Sequence, residues 1–296
     1  MAARRWWWAA VGSPAVLLEL GDRTVDLRSR ALVMGILNRT TDSFFDRGAH
    51  FALDDLLARA GELVGEGADL LAVGGVKAGP GPEVTEAEEL DRVVPAIAAL
   101  RARFDVPLSC DTWRATVAAA AFDAGAVLGN DISGFADPDY LAVAARAGAS
   151  VVATHIRLAP RVADPEPVYD DLVADVAAFL RACAARAESA GIPPQRIILD
   201  AGLDLGKTWQ QSLLLLRASP VVADLGYPLL LSASNKTFLG RLLDLDVGQR
   251  REASHAAHAV GIVGGCRILR VHDVRGARRT VDVLAAILER RIETAR

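Results

Sequence analysis

Short apolar segments that stop abruptly on a polar residue or a glycine recur along this chain, and they constrain its fold more than any other feature. The clearest is RIILDAG, in which Arg196 to Leu199 lead into Asp200. A segment rich in Ile and Leu, bounded by Pro and Gly, is buried on both faces, as the strands of a parallel sheet are. The same pattern occurs in ALVMGILN, ending at Asn38, in DLLAVGG, ending at Gly74 and Gly75, in VPLSCD, ending at Asp111, and in AVLGND, ending at Asn130 and Asp131. It returns in SVVATH, ending at His155, in PLLLSAS, with Ser232 and Ser234, and in CRILRVHD, with Arg270, His272 and Asp273. Stretches with apolar residues at helical spacing lie between these segments. Eight strand-then-helix units are the number that closes a (β/α)8 barrel, so the expected fold class is α/β, a TIM barrel. Chemistry in such barrels gathers at the C-terminal strand ends. The polar residues just named, His155 and Asp131 among them, are therefore expected around one mouth.

At 296 residues the chain fits one barrel of about 250 residues with an extension, not two ordinary domains. The expected division is an N-terminal extension and hairpin over residues 1–30 and the barrel domain over 31–296. Ala15 to Leu20 and Thr24 to Leu27 alternate loosely around Gly21-Asp22, which predicts a β-hairpin plugging the N-terminal end of the barrel. A hydrophobic content of 52% with 24% charged residues is enough to bury a large core. The net charge of -4 gives no long-range pull towards nucleic acid.

Cys110, Cys183 and Cys266 are the three cysteines, without metal-ligand spacing. They read as buried free thiols of a reducing, cytoplasmic setting. No uninterrupted apolar run is long enough to span a bilayer, so no membrane association is expected. Arg4 and Arg5 before Trp6, Trp7 and Trp8 faintly resemble a signal peptide. Gly12, Ser13 and Pro14 interrupt that run and no small-residue cleavage site follows, so the tryptophans are expected to pack on the barrel or a partner subunit.

Several loops carry signals of their own. The polar stretch from Arg39 to His50 exceeds the usual length of a β-to-α connection. Thr85 and Glu88 have capping-box spacing, while Thr112 and Asp137-Pro138 look like helix starts. Ile156 to Val168, with three prolines, has the character of a lid.

Asn38, Asp111, Asn130 and Asp200 end four different strands. A single acid at a strand end more often caps the next helix than binds a ligand. Four carboxylates and carboxamides around one mouth suit a flat heterocycle with several N–H groups and ring acceptors, because paired hydrogen bonds make its desolvation tolerable. Lys236, Arg270 and His272 follow the last two strands, where many barrels bind phosphate. Arg and Lys there offer charge-assisted hydrogen bonds to an anion, structural ion pairs being the alternative role. Gly202 to Lys207 lacks P-loop spacing. His255 and His258 have no carboxylate or Cys partner at ligand spacing, so no metal site is expected there.

Six ordered stretches resemble the dihydropteroate synthase family: MGILNRTTDSFFDRG from Met34, SCDTWRATVA from Ser109, GNDISG from Gly129, DAGLDLGK from Asp200, SNKTFLG from Ser234 and RVHDV from Arg270. The resemblance runs from about Leu32 to the C-terminus. It implies a TIM barrel, usually a homodimer, that transfers the pterin methylene of 6-hydroxymethyl-7,8-dihydropterin pyrophosphate to the aromatic amine p-aminobenzoate, releasing pyrophosphate with the aid of Mg2+. Carried over by motif, Asp111, Asn130, Asp200 and Lys236 correspond to the pterin-binding residues. Asn38, Arg270 and His272 correspond to the pyrophosphate side, with Asn38 on the metal. Asn38, Asp111, Lys236, Arg270 and His272 make up the implied catalytic set, and Ser234, Lys77, Thr40 and Thr41 the second-substrate side.

The departures from the family fall on that second side. Where the family usually reads Gly-Gly-Glu-Ser-Thr-Arg-Pro-Gly, this chain has Gly74-Gly75-Val76-Lys77-Ala78-Gly79-Pro80-Gly81, which removes an acid, two hydroxyls and an arginine and introduces Lys77. Thr41 stands for a proline, Ala201 for a proline, Leu203 and Leu205 for aromatic residues, Asp204 for a glycine and Asn235 for an arginine. The pattern NRT with GGVKAGPG and SNK resembles the divergent second paralogue of actinobacteria, a branch taken to lack ordinary synthase activity. Activity is accordingly expected to be weak or redirected to another acceptor. Two other readings are a catalytically silent pterin-binding regulatory protein and a pterin-dependent methyltransferase-type barrel, the latter disfavoured by Lys236 and the RVHD stretch.

Overall fold

The computed structural model describes residues 17–28, 30–39 and 53–288. Strands β1 (Leu17–Leu20) and β2 (Arg23–Asp26) form the expected antiparallel hairpin, with Leu17 opposite Asp26 and Leu20 opposite Arg23. Gly21, at φ +64°, takes the left-handed conformation that this tight turn requires.

The barrel then alternates strand and helix: β3 (Leu32–Asn38), α1 (Leu53–Gly65), β4 (Leu70–Gly74), α2 (Glu86–Arg103), β5 (Leu108–Asp111), α3 (Ala115–Asp123), β6 (Leu128–Asp131) and α4 (Tyr140–Arg146). It continues with β7 (Ser150–Thr154), α5 (Leu172–Ser189), β8 (Ile197–Asp200), α6 (Trp209–Arg217), α7 (Ser219–Ala223), β9 (Leu229–Leu231), α8 (Thr237–Leu243), α9 (Arg251–Val263), β10 (Cys266–Val271) and α10 (Val274–Leu288). β3 to β10 pair in sequence order, and β10 returns beside β3 to close the barrel.

Successive side chains of a strand point to opposite faces, and here both faces are apolar. Val33, Leu71, Cys110, Val151, Leu199 and Leu269 pack outward against the helices. Met34, Leu70, Leu128, Val152, Ile198 and Ile268 pack inward, where Leu18, Leu20 and Leu27 of the hairpin segment join them. The hairpin therefore fills the N-terminal end of the barrel, as its sequence predicts. Two apolar faces also explain why these strands read as unbroken apolar runs.

The Thr85–Glu88 capping box forms at the start of α2. Thr112 does not start α3, contrary to the expectation from sequence. Its hydroxyl accepts the Arg114 N–H, and the first N–H of α3, at Ala115, donates to Asp137 Oδ2 at 2.8 Å. The other oxygen of Asp137 accepts the Asp139 N–H at 3.1 Å, so one carboxylate serves the entries of both α3 and α4. A cap supplied from 22 residues away has no local sequence signature. No described helix is long and apolar enough to cross a membrane. Trp6, Trp7, Trp8, Thr40, Thr41 and most of the stretch expected as a long first loop lie outside the described residues.

Candidate active site

Continuing the inward parity one step beyond the apolar layer gives the last inward position of each barrel strand: Asn38, Gly74, Asp111, Asn130, Thr154, Asp200, Ser232 and Arg270. All eight line one cavity of about 480 Å³ at the C-terminal mouth. Seven polar side chains and a glycine thus form a ring directly above the apolar plug. Lys77, Trp113, Asp204, Leu205, Lys236 and His272 are among the residues that complete the wall.

Asp111 holds the ring together. Its Oδ1 accepts from Asn130 Nδ2 at 2.9 Å and its Oδ2 from Arg270 Nη2 at 2.5 Å. The heterocycle and anion clusters expected from sequence are therefore one network. The Asn130 Oδ1 and Arg270 Nε atoms are buried without a hydrogen-bond partner among the described residues. Asp200 Oδ1 accepts the Gly202 N–H at 2.8 Å. Burial pushes the Asp200 carboxyl up, against the opposing pull of Lys236. Burial likewise pulls the Lys236 ammonium down, opposed by Asp200, and Lys236 Nζ donates to the Leu203 carbonyl.

His272 enters from the β10 end. Its backbone N–H donates to Ser234 Oγ at 3.2 Å, and its Nδ1 lies 3.0 Å from the same oxygen. Burial, followed by the nearby Arg270 charge, holds its ring at about 3, so it is neutral at physiological pH. Ser234 and Lys77, the described members of the second-substrate set, both line the cavity.

His155 and Asp131 do not join the site. Each is one residue out of parity with the inward positions and neither lines the cavity. His155 Nδ1 lies 2.8 Å from Lys207 Nζ, and its ring meets that of Phe179 edge-on at 4.8 Å. Lys207 also donates to the Leu205 carbonyl at 2.8 Å, so this pair braces the loop carrying Asp204 instead of touching a ligand. Gly202, at φ +66°, crosses so close to the His155 carbonyl that an added Cβ would lie 1.9 Å from its oxygen. Asp131 accepts the Ser133 and Phe135 N–H groups. The residue that β7 contributes is Thr154, in place of the His155 expected from sequence. Once the fold shows Val152 facing inward, parity along the strand identifies Thr154.

Asp204 is a further wall residue. Its Oδ2 accepts the Phe238 N–H of α8 and its Oδ1 the Ser212 hydroxyl, both at 3.2 Å. Opposite, the segment Val76 to Pro80 is held by the β7–α5 loop. Arg161 donates from its backbone N–H to the Ala78 carbonyl at 3.1 Å, from Nη1 to the Lys77 carbonyl at 3.0 Å and from Nη2 to the Pro82 carbonyl. The stretch with lid-like composition thus straps the loop that follows β4, with β5 and β6 lying between β4 and β7 in barrel order.

Among the described residues no group of three or more His, Cys, Asp or Glu is arranged to hold a metal ion. Asn38 and Asp111 stand on either side of Gly74, where an added Cβ would lie 3.8 Å from Asn38 Oδ1 and 3.6 Å from Asp111 Oδ2. One or two such oxygens fit Mg2+, which keeps waters and takes its remaining ligands from substrate phosphates.

Comparison with known proteins agrees with this geometry. Residues 34–272 match the family described as pterin binding enzyme. The dihydropteroate synthase of Bacillus subtilis is 40% identical over 265 residues, which are 89% of this chain and 90% of that protein. A Mycobacterium leprae protein named inactive dihydropteroate synthase 2 is 43% identical over 264 residues, 87% of this chain and 91% of that protein. The solved structure of Xanthomonas albilineans dihydropteroate synthase with 4-aminobenzoic acid has a TM-score of 0.85 at 37% identity, covering 93% of this chain and 98% of that one.

Proposed function

Because this chain belongs to the pterin binding enzyme family, among the dihydropteroate synthases, we propose that it binds 6-hydroxymethyl-7,8-dihydropterin pyrophosphate and transfers the pterin methylene to an aromatic amine, p-aminobenzoate or a relative of it. The observation that carries this reading is the single ring in which Asp111, Asn130 and Asp200 adjoin Arg270.

Asp111, Asn130, Asp200 and Lys236 form the pterin seat, where buried carboxylate and carboxamide oxygens meet ring N–H groups. Asn38, Arg270 and His272 face the diphosphate. With the Ser234 hydroxyl donating to Nδ1, the neutral His272 ring keeps its proton on Nε2, a donor suited to a phosphate oxygen. The bond from the methylene carbon to the diphosphate oxygen breaks, and the leaving group departs with the electron pair. The amine nitrogen forms the new bond to carbon and loses its proton to solvent. Arg270 and His272 stabilise charge as it develops on the departing diphosphate, while the pterin seat fixes the methylene for attack. Asn38, with Asp111 beside it, would hold Mg2+, whose chemistry there is neutralisation of diphosphate charge.

Ser234, Lys77, Thr40 and Thr41 belong to the acceptor side in this reading. The altered loop there makes transfer to p-aminobenzoate weak or redirects it to another amine. A second reading, a silent pterin-binding regulatory protein, is favoured by the missing acid, hydroxyls and arginine of that loop and by the likeness to the Mycobacterium leprae protein. A homodimer is part of the proposal, supported by Leu242 and Leu243 of α8 and Val260 of α9, exposed apolar side chains of the kind subunit interfaces cover. A cytoplasmic setting is supported by the three cysteines, all free and buried.

The test is pyrophosphate release from the dihydropterin pyrophosphate, measured without and then with p-aminobenzoate. Release only with the amine establishes the transferase, whereas binding without release in either case establishes the silent binder.

A further inference from the structure

Two polar members of the inward ring, Thr154 and Ser232, have no role in the proposed transfer, and of the two only Thr154 is fully buried. Thr154 ends β7, between the strand of Asn130 and the strand of Asp200, and pairs in register with Asp200. It lines the cavity, is 1% exposed, and its Oγ1 has no hydrogen-bond partner among the described residues. A strand-end threonine ordinarily gives its hydroxyl to a nearby backbone group. Left unpaired and buried, the hydroxyl destabilises the ligand-free protein, and valine would fill nearly the same space without that cost.

Its neighbours point the same way. Asn130 Oδ1 is also buried and unpartnered, while Asp200 has one oxygen engaged by the Gly202 N–H. Three adjacent strands therefore set a carboxamide, a hydroxyl and a carboxylate side by side in the cavity wall. The hydroxyl differs from the other two because it donates as well as accepts.

We infer that Thr154 is a specificity-determining residue of the heterocycle seat: its hydroxyl hydrogen-bonds the ring edge lying between Asn130 and Asp200. It thereby favours a nitrogen heterocycle with a polar atom at that edge over a ring with a C–H there. This rests on the pterin reading. Two variants separate it from a structural role, Thr154→Val, which removes the hydroxyl at constant size, and Thr154→Ser, which keeps it.

Calorimetric titration of the full chain with 6-hydroxymethylpterin is expected to show affinity about tenfold weaker for Thr154→Val and within about threefold of wild type for Thr154→Ser. The Tm of ligand-free Thr154→Val is expected to equal or exceed that of wild type, because an unpaired buried group has been removed. Unchanged pterin affinity in Thr154→Val, with wild type binding normally, overturns this inference alone. A lowered ligand-free Tm with proportionally lost binding in Thr154→Val assigns the residue a structural role and overturns it as well. Absence of pterin binding by wild type overturns the pterin reading and this inference together.

Discussion

Asp200 and Asp204, four residues apart, show how differently one carboxyl group is used in this site. Asp200 is buried at a strand end, where desolvation works against its charge and Lys236 works for it. A hydrogen bond from a ligand N–H to such a carboxylate is worth roughly 1.5–3 kcal/mol. Asp200→Asn is therefore expected to weaken 6-hydroxymethylpterin binding by about tenfold to a hundredfold, with a ligand-free Tm no lower than wild type. Calorimetry giving equal affinities would remove Asp200 from the pterin seat. Asp204 occupies a glycine-like backbone conformation at φ +66°, which costs a non-glycine residue on the order of 1 kcal/mol. Its hydrogen bonds to the Phe238 N–H and the Ser212 hydroxyl offset that strain. The substitution thus keeps the loop shape while adding a carboxylate to the cavity wall.

At the scale of elements, the acceptor side depends on two loops that hold each other. Arg161, itself at φ +67°, binds three carbonyls of the segment from Lys77 to Pro82. Arg161→Ala is expected to raise the KM for the acceptor several-fold, leave pterin affinity unchanged, and speed hydrogen exchange in residues 76–82. Unchanged exchange there would deny the strap. An added Cβ at Gly79 meets nothing within 4 Å, so Gly79→Arg fits the loop, and it is expected to raise p-aminobenzoate turnover if the missing cation limits the reaction. No gain in steady-state rate would mean that the loop is remodelled for a different amine. The strand-helix alternation, the hairpin and the convergence of Asn38, Asp111, Asn130, Asp200 and Arg270 were legible because each rests on local pattern and strand order. The choice between Thr154 and His155 was not, since a strand with two apolar faces shows no alternation from which to read direction. Asp137 and Arg161 act across 22 and 79–84 residues of chain, and nothing in their own neighbourhoods announces the partner.

For the whole molecule, the ionisable groups buried during folding set the response to acid. His155, His258 and His272 are each lowered to about 3, primarily by burial, from the ordinary 6.5. Below 6.5 the unfolded chain takes up protons at these rings that the folded chain refuses until about 3. The stability these three rings contribute is therefore fully present above 6.5 and falls as pH drops through that window. Glu89, Asp131 and Asp200, all raised by burial, Asp131 to about 6, work in the opposite direction. His258 has both ring nitrogens unpartnered among the described residues, and His258→Leu is expected to shrink the fall in Tm between about pH 6.5 and pH 4, read by calorimetric scans. An unchanged profile would remove His258 from that response. The account as a whole requires the eight strand ends to act as one receptor, and a crystal structure with 6-hydroxymethylpterin and pyrophosphate soaked in tests this most directly. The predicted result is the ring seated among Asp111, Asn130, Asp200 and Lys236, with pyrophosphate on Arg270 and His272. A pterin bound elsewhere, or bound in this cavity with pyrophosphate away from Arg270, would contradict it.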